Sequence, residues 1–197
     1  MRGIGIVIPA AGNSSRMRGR DKLLEPVAGQ PLLARQARLA LGAGWPVLVT
    51  LRPGDARAKV LPDSVERREV PDAAEGLAAS LRCGAAWAQN QGLTALMVIL
   101  ADLPELTLDD LQCVVTRYAQ DPSQICRATD DSGQPGHPVI FPAVFFDAMQ
   151  KLTGDDGARP LLAQHPPRLC ALPGQHATTD LDTPEAWAAW RAKQARE

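Results

Sequence analysis

Apolar runs of strand length alternate with helix-like segments through the first half of the chain. Residues 4–9 (IGIVIP) form a run rich in β-branched side chains, which is typical of a strand buried on both faces. Similar runs occupy residues 46–51 and 94–100, and residues 67–70 are predicted to add a short strand. Helices are predicted over residues 31–41, 76–89 and 106–118. This alternation predicts right-handed βαβ units and a mostly parallel sheet.

The second half of the chain lacks this regular alternation of strand-like and helix-like segments. Strand-like residues 124–128 and 138–141 flank the turn-rich stretch DDSGQPGH, and a short helix is predicted over residues 143–151. A strand near residues 168–172 and a final helix from Pro184 complete the pattern. Since no repeat or low-complexity linker interrupts it, residues 1–197 are predicted to form one domain. The expected fold is a single three-layer α/β/α Rossmann-like domain with a mostly parallel mixed sheet.

Composition limits the partners and the compartment. The 197 residues carry a formal net charge of −1, so no overall field favours nucleic acid or an anionic membrane. The N-terminal apolar run is too short for a signal peptide or a membrane span. None of the four cysteines belongs to a CxxC pair, which favours buried free thiols in a reducing cytosol. We therefore expect a cytoplasmic protein with no nucleic-acid or membrane partner.

The loop after the first predicted strand is small and locally basic. It reads PAAGNSSRMRGRDK, and it lies where ligands bind in open α/β sheets, at a strand's carboxyl end. Gly12 permits close backbone approach, and Arg16 and Lys22 could bond phosphate oxygens. The pattern is neither a P-loop nor a dinucleotide fingerprint. A solvated basic loop, whose arginines only keep it soluble, remains the alternative interpretation.

Carboxylates follow two other segments. Asp102 comes directly after the apolar run and is a candidate Mg²⁺ ligand, or else a helix cap or turn-stabilising residue. Asp180 and Asp182, in TTDLDTPE, would point to one face if that segment were a strand. The alternative role of Asp182 is to cap the helix that begins at Pro184, either itself or through Thr183.

Seven short motifs, taken in order, resemble the molybdenum cofactor cytidylyltransferases, a group related to the molybdenum cofactor guanylyltransferases. They are VIPAAGNSSRMRGRDKLL, GQPLL, EGLAASLRCG, LADLP, GHPVIF, GDDGARPLL and DLDTPE, and the resemblance that they mark extends over essentially the whole chain. The resemblance implies the fold of the nucleotide-diphospho-sugar transferases. Ala10–Ala11–Gly12 is similar to the cytidylyl branch, since the guanylyl branch more often has a second glycine there. Arg18 departs from the pattern, which commonly has glycine at that position.

The resemblance implies a role for each matching residue. The backbone of Pro9, Ala10, Ala11 and Gly12 would read the base and approach the triphosphate, Arg16 and Lys22 would hold phosphates, and Ser80 would lie near the base or ribose. Asp102, with Asp182 or Asp180, would ligate Mg²⁺. His137 would face the acceptor pocket, unless it is only a turn histidine held by Pro138.

The implied reaction is transfer of CMP from CTP to the phosphate of molybdopterin or molybdenum cofactor, releasing pyrophosphate. Because a phosphate monoester is already a nucleophile, the reaction explains why no Ser/His/Asp arrangement is visible. A molybdenum hydroxylase or its chaperone would receive the product. The alternatives are a cytidylyltransferase for another phosphorylated acceptor and a non-catalytic cofactor-delivery protein. A nicotinamide oxidoreductase is disfavoured because its glycine fingerprint is missing.

Overall fold

The predicted mixed sheet is present, with β1 near its centre, in a computed structural model that describes residues 3–195. The strands are β1 (Ile4–Pro9), β2 (Pro26–Val27), β3 (Gln30–Pro31), β4 (Val47–Leu51), β5 (Glu66–Glu69), β6 (Ala95–Val98), β7 (Cys126–Thr129), β8 (Pro135–Pro142) and β9 (Arg168–Ala171). Seven of them form one sheet in the order β5-β4-β1-β6-β8-β7-β9, and β2 and β3 form a separate hairpin. In the seven-stranded sheet, β8 is antiparallel to both of its neighbours, β6 and β7, and the other described strand pairs of that sheet are parallel.

Helices cover both faces of this sheet. They are α1 (Leu32–Gly42), α2 (Leu77–Asn90), α3 (Leu108–Ala119), α4 (Phe146–Met149), α5 (Arg159–Gln164) and α6 (Pro184–Gln194). One core cluster joins Ile6 and Ile8 of β1 to α1 and α3, and a second joins Val7 to α2, α4 and α5. This confirms the three-layer prediction. In the described part of the chain, no helix combines the length and apolar character needed to cross a membrane.

Close packing on β1 depends on a glycine. A Cβ added at Gly5 would lie 2.4 Å from Leu93 Cδ1 and 2.8 Å from the ring of Trp87. Since real Cβ atoms do not approach other atoms so closely, the α2 side of β1 tolerates no side chain there. Gly5 thus lets the central strand sit directly under α2, which carries part of the site.

In the second half of the chain, several strands and helices have other bounds than predicted. β8 begins at Pro135, because the carboxylate of Asp130 accepts the backbone N–H groups of Ser132 and Gln134 and closes the turn early. The helix predicted over residues 143–151 is shorter, with one 3-10 turn, Ala143–Phe145, before α4. Helix α5 was not predicted, although Pro160 in its first turn is a helix-start signal.

The cysteines are free thiols, but not all of them are buried. Cys126 and Cys170 are buried and Cys83 is half-buried, as expected of structural thiols. Cys113 is exposed on α3, which corrects the expectation that all four would be buried.

Candidate nucleotide site

A cavity of about 450 Å³ opens at the carboxyl edge of the sheet, where β1 and β6 end. Its walls are the loop after β1, the N-terminal turns of α2, the residues after β6 and the segment before α6. Every predicted nucleotide-binding residue and every predicted carboxylate lines it: Pro9, Ala10, Ala11, Gly12, Arg16, Lys22, Ser80, Asp102, Asp180 and Asp182. Motifs separated by up to about 170 residues therefore share one cleft, as expected for strand ends of a parallel sheet.

Lys22 lies between two carboxylates. Its Nζ is 2.5 Å from Oδ2 of Asp102 and 2.5 Å from Oδ1 of Asp182, and all three side chains are less than one-fifth exposed. Burial alone would lower the pKa of Lys22, but the charges and hydrogen bonds of Asp102 and Asp182 outweigh it and raise that pKa. Arg16 adds a second cation, with Nη2 2.6 Å from Oδ2 of Asp182. The cleft thus pairs cations with carboxylates along one wall.

Only one of the two carboxylate oxygens of Asp102 has a hydrogen-bond partner among residues 3–195. Its Oδ1 is buried and has no hydrogen-bond partner among residues 3–195, whereas its Oδ2 accepts from Lys22. The alternative role as a helix cap is wrong, because Thr107 caps α3 in a capping box with Asp110. A buried carboxylate oxygen without a partner is unfavourable unless a ligand supplies one.

The segment that carries Asp180 and Asp182 is irregular rather than a strand. Thr183 caps α6 through its side chain, which leaves Asp182 to Lys22 and Arg16. Desolvation raises the pKa of Asp180, and repulsion from Asp182 and Asp102 adds to it. Asp182 thus pairs with the cations of the cleft, whereas Asp180 makes no ion pair with any residue from 3 to 195.

Arg57, a residue that no sequence motif marked, holds the loop after β1. This side chain is only 1% exposed. Its Nη1 donates to the carbonyl oxygens of Ala10 (2.6 Å) and Gly12 (2.8 Å), and its Nη2 donates to Ser14 Oγ (3.1 Å). Its Nε and Nη2 also bond the carboxylate of Asp21 at 2.7 and 2.8 Å. One guanidinium thus fixes the beginning and the end of the predicted phosphate loop.

The remaining arginines of the loop lie at the surface. Arg18 and Arg20 are 75% and 58% exposed, and they pair with Glu185 and Glu25. For these two side chains the interpretation as a solvated basic surface holds. The backbone of Arg18 is left-handed, with φ of 53°, a conformation that glycine adopts more readily. The family whose motifs this chain resembles commonly has glycine at this position.

The GDDGAR segment reaches the same cavity. Asp155 lines it and packs against Gly76, where an added Cβ would lie 2.5 Å from Asp155 Oδ1. The Gly154 carbonyl accepts the N–H of Ala78 at 3.3 Å, at the start of α2. Ser80 follows one turn later and is 3% exposed. The motifs EGLAASLRCG and GDDGARPLL therefore form one wall of the cavity together. No role was predicted for Asp155.

His137 does not line this cavity within the described residues. Its Nδ1 is 3.4 Å from the carbonyl oxygen of Val98, and its backbone N–H donates to the carbonyl of Ala177 at 2.9 Å. Burial lowers the pKa of His137 from 6.5 to about 4, so the ring is neutral at physiological pH. Its contact with an acceptor stays a prediction.

Fold and cavity together define the class: a nucleotidyltransferase with the nucleotide-diphospho-sugar transferase fold. The chain belongs to the family described as the MobA-like NTP transferase domain, whose model matches residues 6–169.

Three relatives illustrate the similarity. The purine catabolism protein PucB of Bacillus subtilis is 30% identical over 169 residues, 81% of this chain and 80% of its own. A probable molybdenum cofactor guanylyltransferase of Rhodopirellula baltica is 30% identical over 150 residues, 74% and 71% of the two chains. The crystal structure of Rv0371c from Mycobacterium tuberculosis is 28% identical with a TM-score of 0.82, covering 95% of this chain and 96% of that one.

Proposed function

We propose that the protein transfers CMP from CTP to the phosphate of molybdopterin or molybdenum cofactor and releases pyrophosphate. Membership of the NTP transferase family supports nucleotidyl transfer. The acceptor is supported by the motif resemblance and by the relatives named molybdenum cofactor guanylyltransferases. A molybdenum hydroxylase or its chaperone would receive the product.

The single observation that carries this proposal is the contact of Lys22 with both Asp102 and Asp182 in the predicted nucleotide cavity. Transfer between two phosphates is opposed by repulsion between anions and by charge that gathers on the leaving pyrophosphate. Fixed cations that meet this charge lower the barrier without reorganising. Lys22 and Arg16 would bind the phosphates of the triphosphate, while the backbone of the loop after β1 holds the nucleotide in place.

The residues present fit a magnesium ion. Asp102 offers a buried oxygen with no partner among residues 3–195, and Asp182 lies across Lys22 from it. Among the described residues, no group of three or more His, Cys, Asp or Glu side chains is arranged to hold a metal ion. Mg²⁺ does not need such a group, because it takes one or two carboxylates and completes its shell with water and phosphate oxygens. When bound, the ion would neutralise phosphate charge, and Lys22 would be released toward the phosphates.

The choice of base rests on the loop after β1. Ala11 lines the cavity and is 4% exposed. We infer that its methyl group takes space that a glycine would leave open. A narrower site favours the smaller pyrimidine ring of CTP. The opposing indication is that two curated relatives are named guanylyltransferases, which makes GTP the competitor to test.

Pyrophosphate release is the direct test. The protein is incubated with molybdenum cofactor, Mg²⁺ and CTP, GTP or ATP in turn, and pyrophosphate is measured. Release with CTP, and much less with GTP or ATP, is the expected result. Release that needs no pterin but occurs with a polyol or isoprenoid phosphate would identify another acceptor. Nucleotide or cofactor binding without any pyrophosphate would identify a delivery protein.

Asp102→Asn tests the mechanism at one residue. It keeps the size of the side chain but removes the charge, so we expect turnover to fall by about a hundredfold, the equivalent of about 3 kcal/mol of transition-state stabilisation. The matched control is Asp109→Asn on the exposed surface of α3. Near-full activity of the Asp102 variant, with the control unchanged, would remove this carboxylate from the mechanism.

A further inference from the structure

A second cavity, of about 640 Å³, lies beyond the loop that follows Asp102. Its lining comes from β2, α1, the loop at Pro104 and Glu105, residues 174–176 and the last turns of α6. The linings of the two cavities share no described residue. The second cavity is therefore separate from the nucleotide site, and it falls within the size range of small-molecule pockets.

The charge in this cavity is mostly positive. Arg35, Arg191 and Lys193 line it together with one carboxylate, Glu105, and with His176. Glu105 is already engaged, since it accepts from Thr179 Oγ1 at 3.0 Å and from Trp190 Nε1 at 3.1 Å, with Lys193 Nζ 3.8 Å away. An incoming anion would therefore meet a cationic surface whose only lining carboxylate, within the described residues, has partners of its own.

Most of the cationic or basic groups have an acidic neighbour. Arg191 donates to Glu25 at 2.8 Å, and His176 Nδ1 is 2.8 Å from Oδ2 of Asp110. Arg35 is different, because it is half-buried and makes no hydrogen bond or ion pair with any residue from 3 to 195. Desolvation lowers the pKa of Arg35, and no charge partner opposes that effect.

An unpaired, half-buried guanidinium has five N–H donors and keeps its charge at physiological pH. Taking such a group partly out of water is unfavourable unless an acceptor replaces the lost water. A phosphate group matches the guanidinium in geometry, because two of its oxygens can accept in parallel. Pro26, Val27 and Trp190 add apolar surface beside these donors, which would suit the organic part of a phosphorylated molecule.

We propose that this cavity is a second ligand site, which binds a small phosphate-bearing anion through Arg35, with Lys193 as an accessory cation. The proposal does not depend on the base or the acceptor used in the nucleotide cavity. The shared chemistry is the phosphate group, and its source is either inorganic or an organic phosphate ester.

Calorimetry without divalent cations tests the proposal. The nucleotide cavity is first disabled by Lys22→Gln, which leaves Asp102 and Asp182 to repel anions. Inorganic pyrophosphate and ribose 5-phosphate are then titrated separately into this parent, into Lys22→Gln with Arg35→Gln, and into Lys22→Gln with Arg38→Gln. Arg38 is the matched control, since it lies on the same helix but is exposed and bonded to Gln30.

We expect one binding event in the parent, weakened about tenfold or more by Arg35→Gln and little changed by Arg38→Gln. Tighter binding of ribose 5-phosphate would identify an organic ester as the ligand, and tighter binding of pyrophosphate an inorganic anion. Arg35 has no hydrogen-bond or ion-pair partner in residues 3–195, so replacing it breaks no such contact and should leave the fold intact. Thermal melting of the variant checks that its stability is unchanged. Arg35→Lys keeps the positive charge but loses the two parallel N–H donors of the guanidinium, so it should bind the anion with intermediate affinity. No binding to the parent, or equal weakening by the Arg38 substitution, would overturn the proposal.

Discussion

Arg57→Met should disorder the predicted phosphate loop while leaving the sheet in place. The substitution removes every hydrogen bond that Arg57 makes to Ala10, Gly12, Ser14 and Asp21. Methionine fills a comparable volume, so the loss is mainly polar. The loop after β1 would then keep its covalent connections but lose the group that fixes both of its ends.

The magnitude follows from the exposure of each acceptor. Ala10 is 1% exposed, and leaving its carbonyl unpaired costs about 1–3 kcal/mol. Asp21 is 27% exposed, so water can partly replace Arg57, and the loss stays below the roughly 3–5 kcal/mol of a fully buried broken pair. We expect the free energy of unfolding to fall by about 3 kcal/mol. For a domain of this size the midpoint of thermal unfolding should fall by about 6–12 °C.

Nucleotide binding should weaken as well. If even one loop residue must be ordered again on binding, the added cost is about 1–2 kcal/mol, which is about tenfold in Kd. Calorimetry with CTP and Mg²⁺ measures this, and thermal melts measure stability. Arg57→Lys should recover part of both losses, because the ammonium still faces Asp21.

Arg67→Met is the matched control for this substitution. Arg67 also donates to loop carbonyls, those of Leu61 at 3.0 Å and Pro62 at 3.3 Å, but it is 37% exposed and remote from the cavity lining. We expect a loss of less than about 1 kcal/mol and unchanged nucleotide affinity. Wild-type affinity in the Arg57 variant, or an equal loss in the Arg67 variant, would refute the role assigned to Arg57.

Two further substitutions test the site, and a third tests how His137 affects stability. Lys22→Gln should weaken CTP·Mg²⁺ binding and slow turnover, each by about tenfold, since it removes a partly buried cation; calorimetry and pyrophosphate release measure these, and no change in either would refute the phosphate role. Ala11→Gly should raise the rate with GTP relative to CTP by about tenfold, the usual worth of one methyl group in a pocket; an unchanged ratio would remove Ala11 from base choice. His137 binds a proton more readily when unfolded, because folding lowers its pKa from 6.5 to about 4. The stability that neutral His137 contributes should therefore be complete above pH 6.5 and be lost as the pH falls toward 4. In thermal melts, the midpoint of unfolding of His137→Asn should fall less than that of the wild type between these two pH values. Parallel losses would show that other groups dominate.

The strand-end rule accounts for what could be predicted from the sequence. Pro9 ends β1 and Asp102 follows β6, and these two buried strands are parallel, so the loops after them open at one edge of the sheet. The apolar runs were strong enough to identify those strands. The pairing of Lys22 with Asp102, 80 residues apart, followed from this topology rather than from any local pattern.

Arg57 could not be found in the same way. It lies in RPGDARAK, a polar stretch that is typical of an exposed turn, and nothing local marks it as buried. Its acceptors are 36 to 47 residues away along the chain, and only the packing of the β4 to β5 connection on the loop after β1 brings them together. The choice between Asp180 and Asp182 stayed open in the sequence for a related reason, because an irregular segment has no alternation from which to derive side-chain direction.

The charges of the nucleotide cavity also bear on how a nucleotide enters it. Carboxylates outnumber cations in the lining, with Asp102, Asp155, Asp180 and Asp182 against Arg16 and Lys22. A triphosphate that arrived alone would be repelled by this surplus and would meet a lysine already shared by two carboxylates. If Mg²⁺ accompanies the triphosphate, as proposed above, Asp102 and Asp182 would hold the ion, their charge would be offset, and Lys22 would be available to the phosphates. We therefore propose that the acidic wall favours entry of the nucleotide as its metal complex, and that the affinity of Lys22 for phosphate depends on that metal.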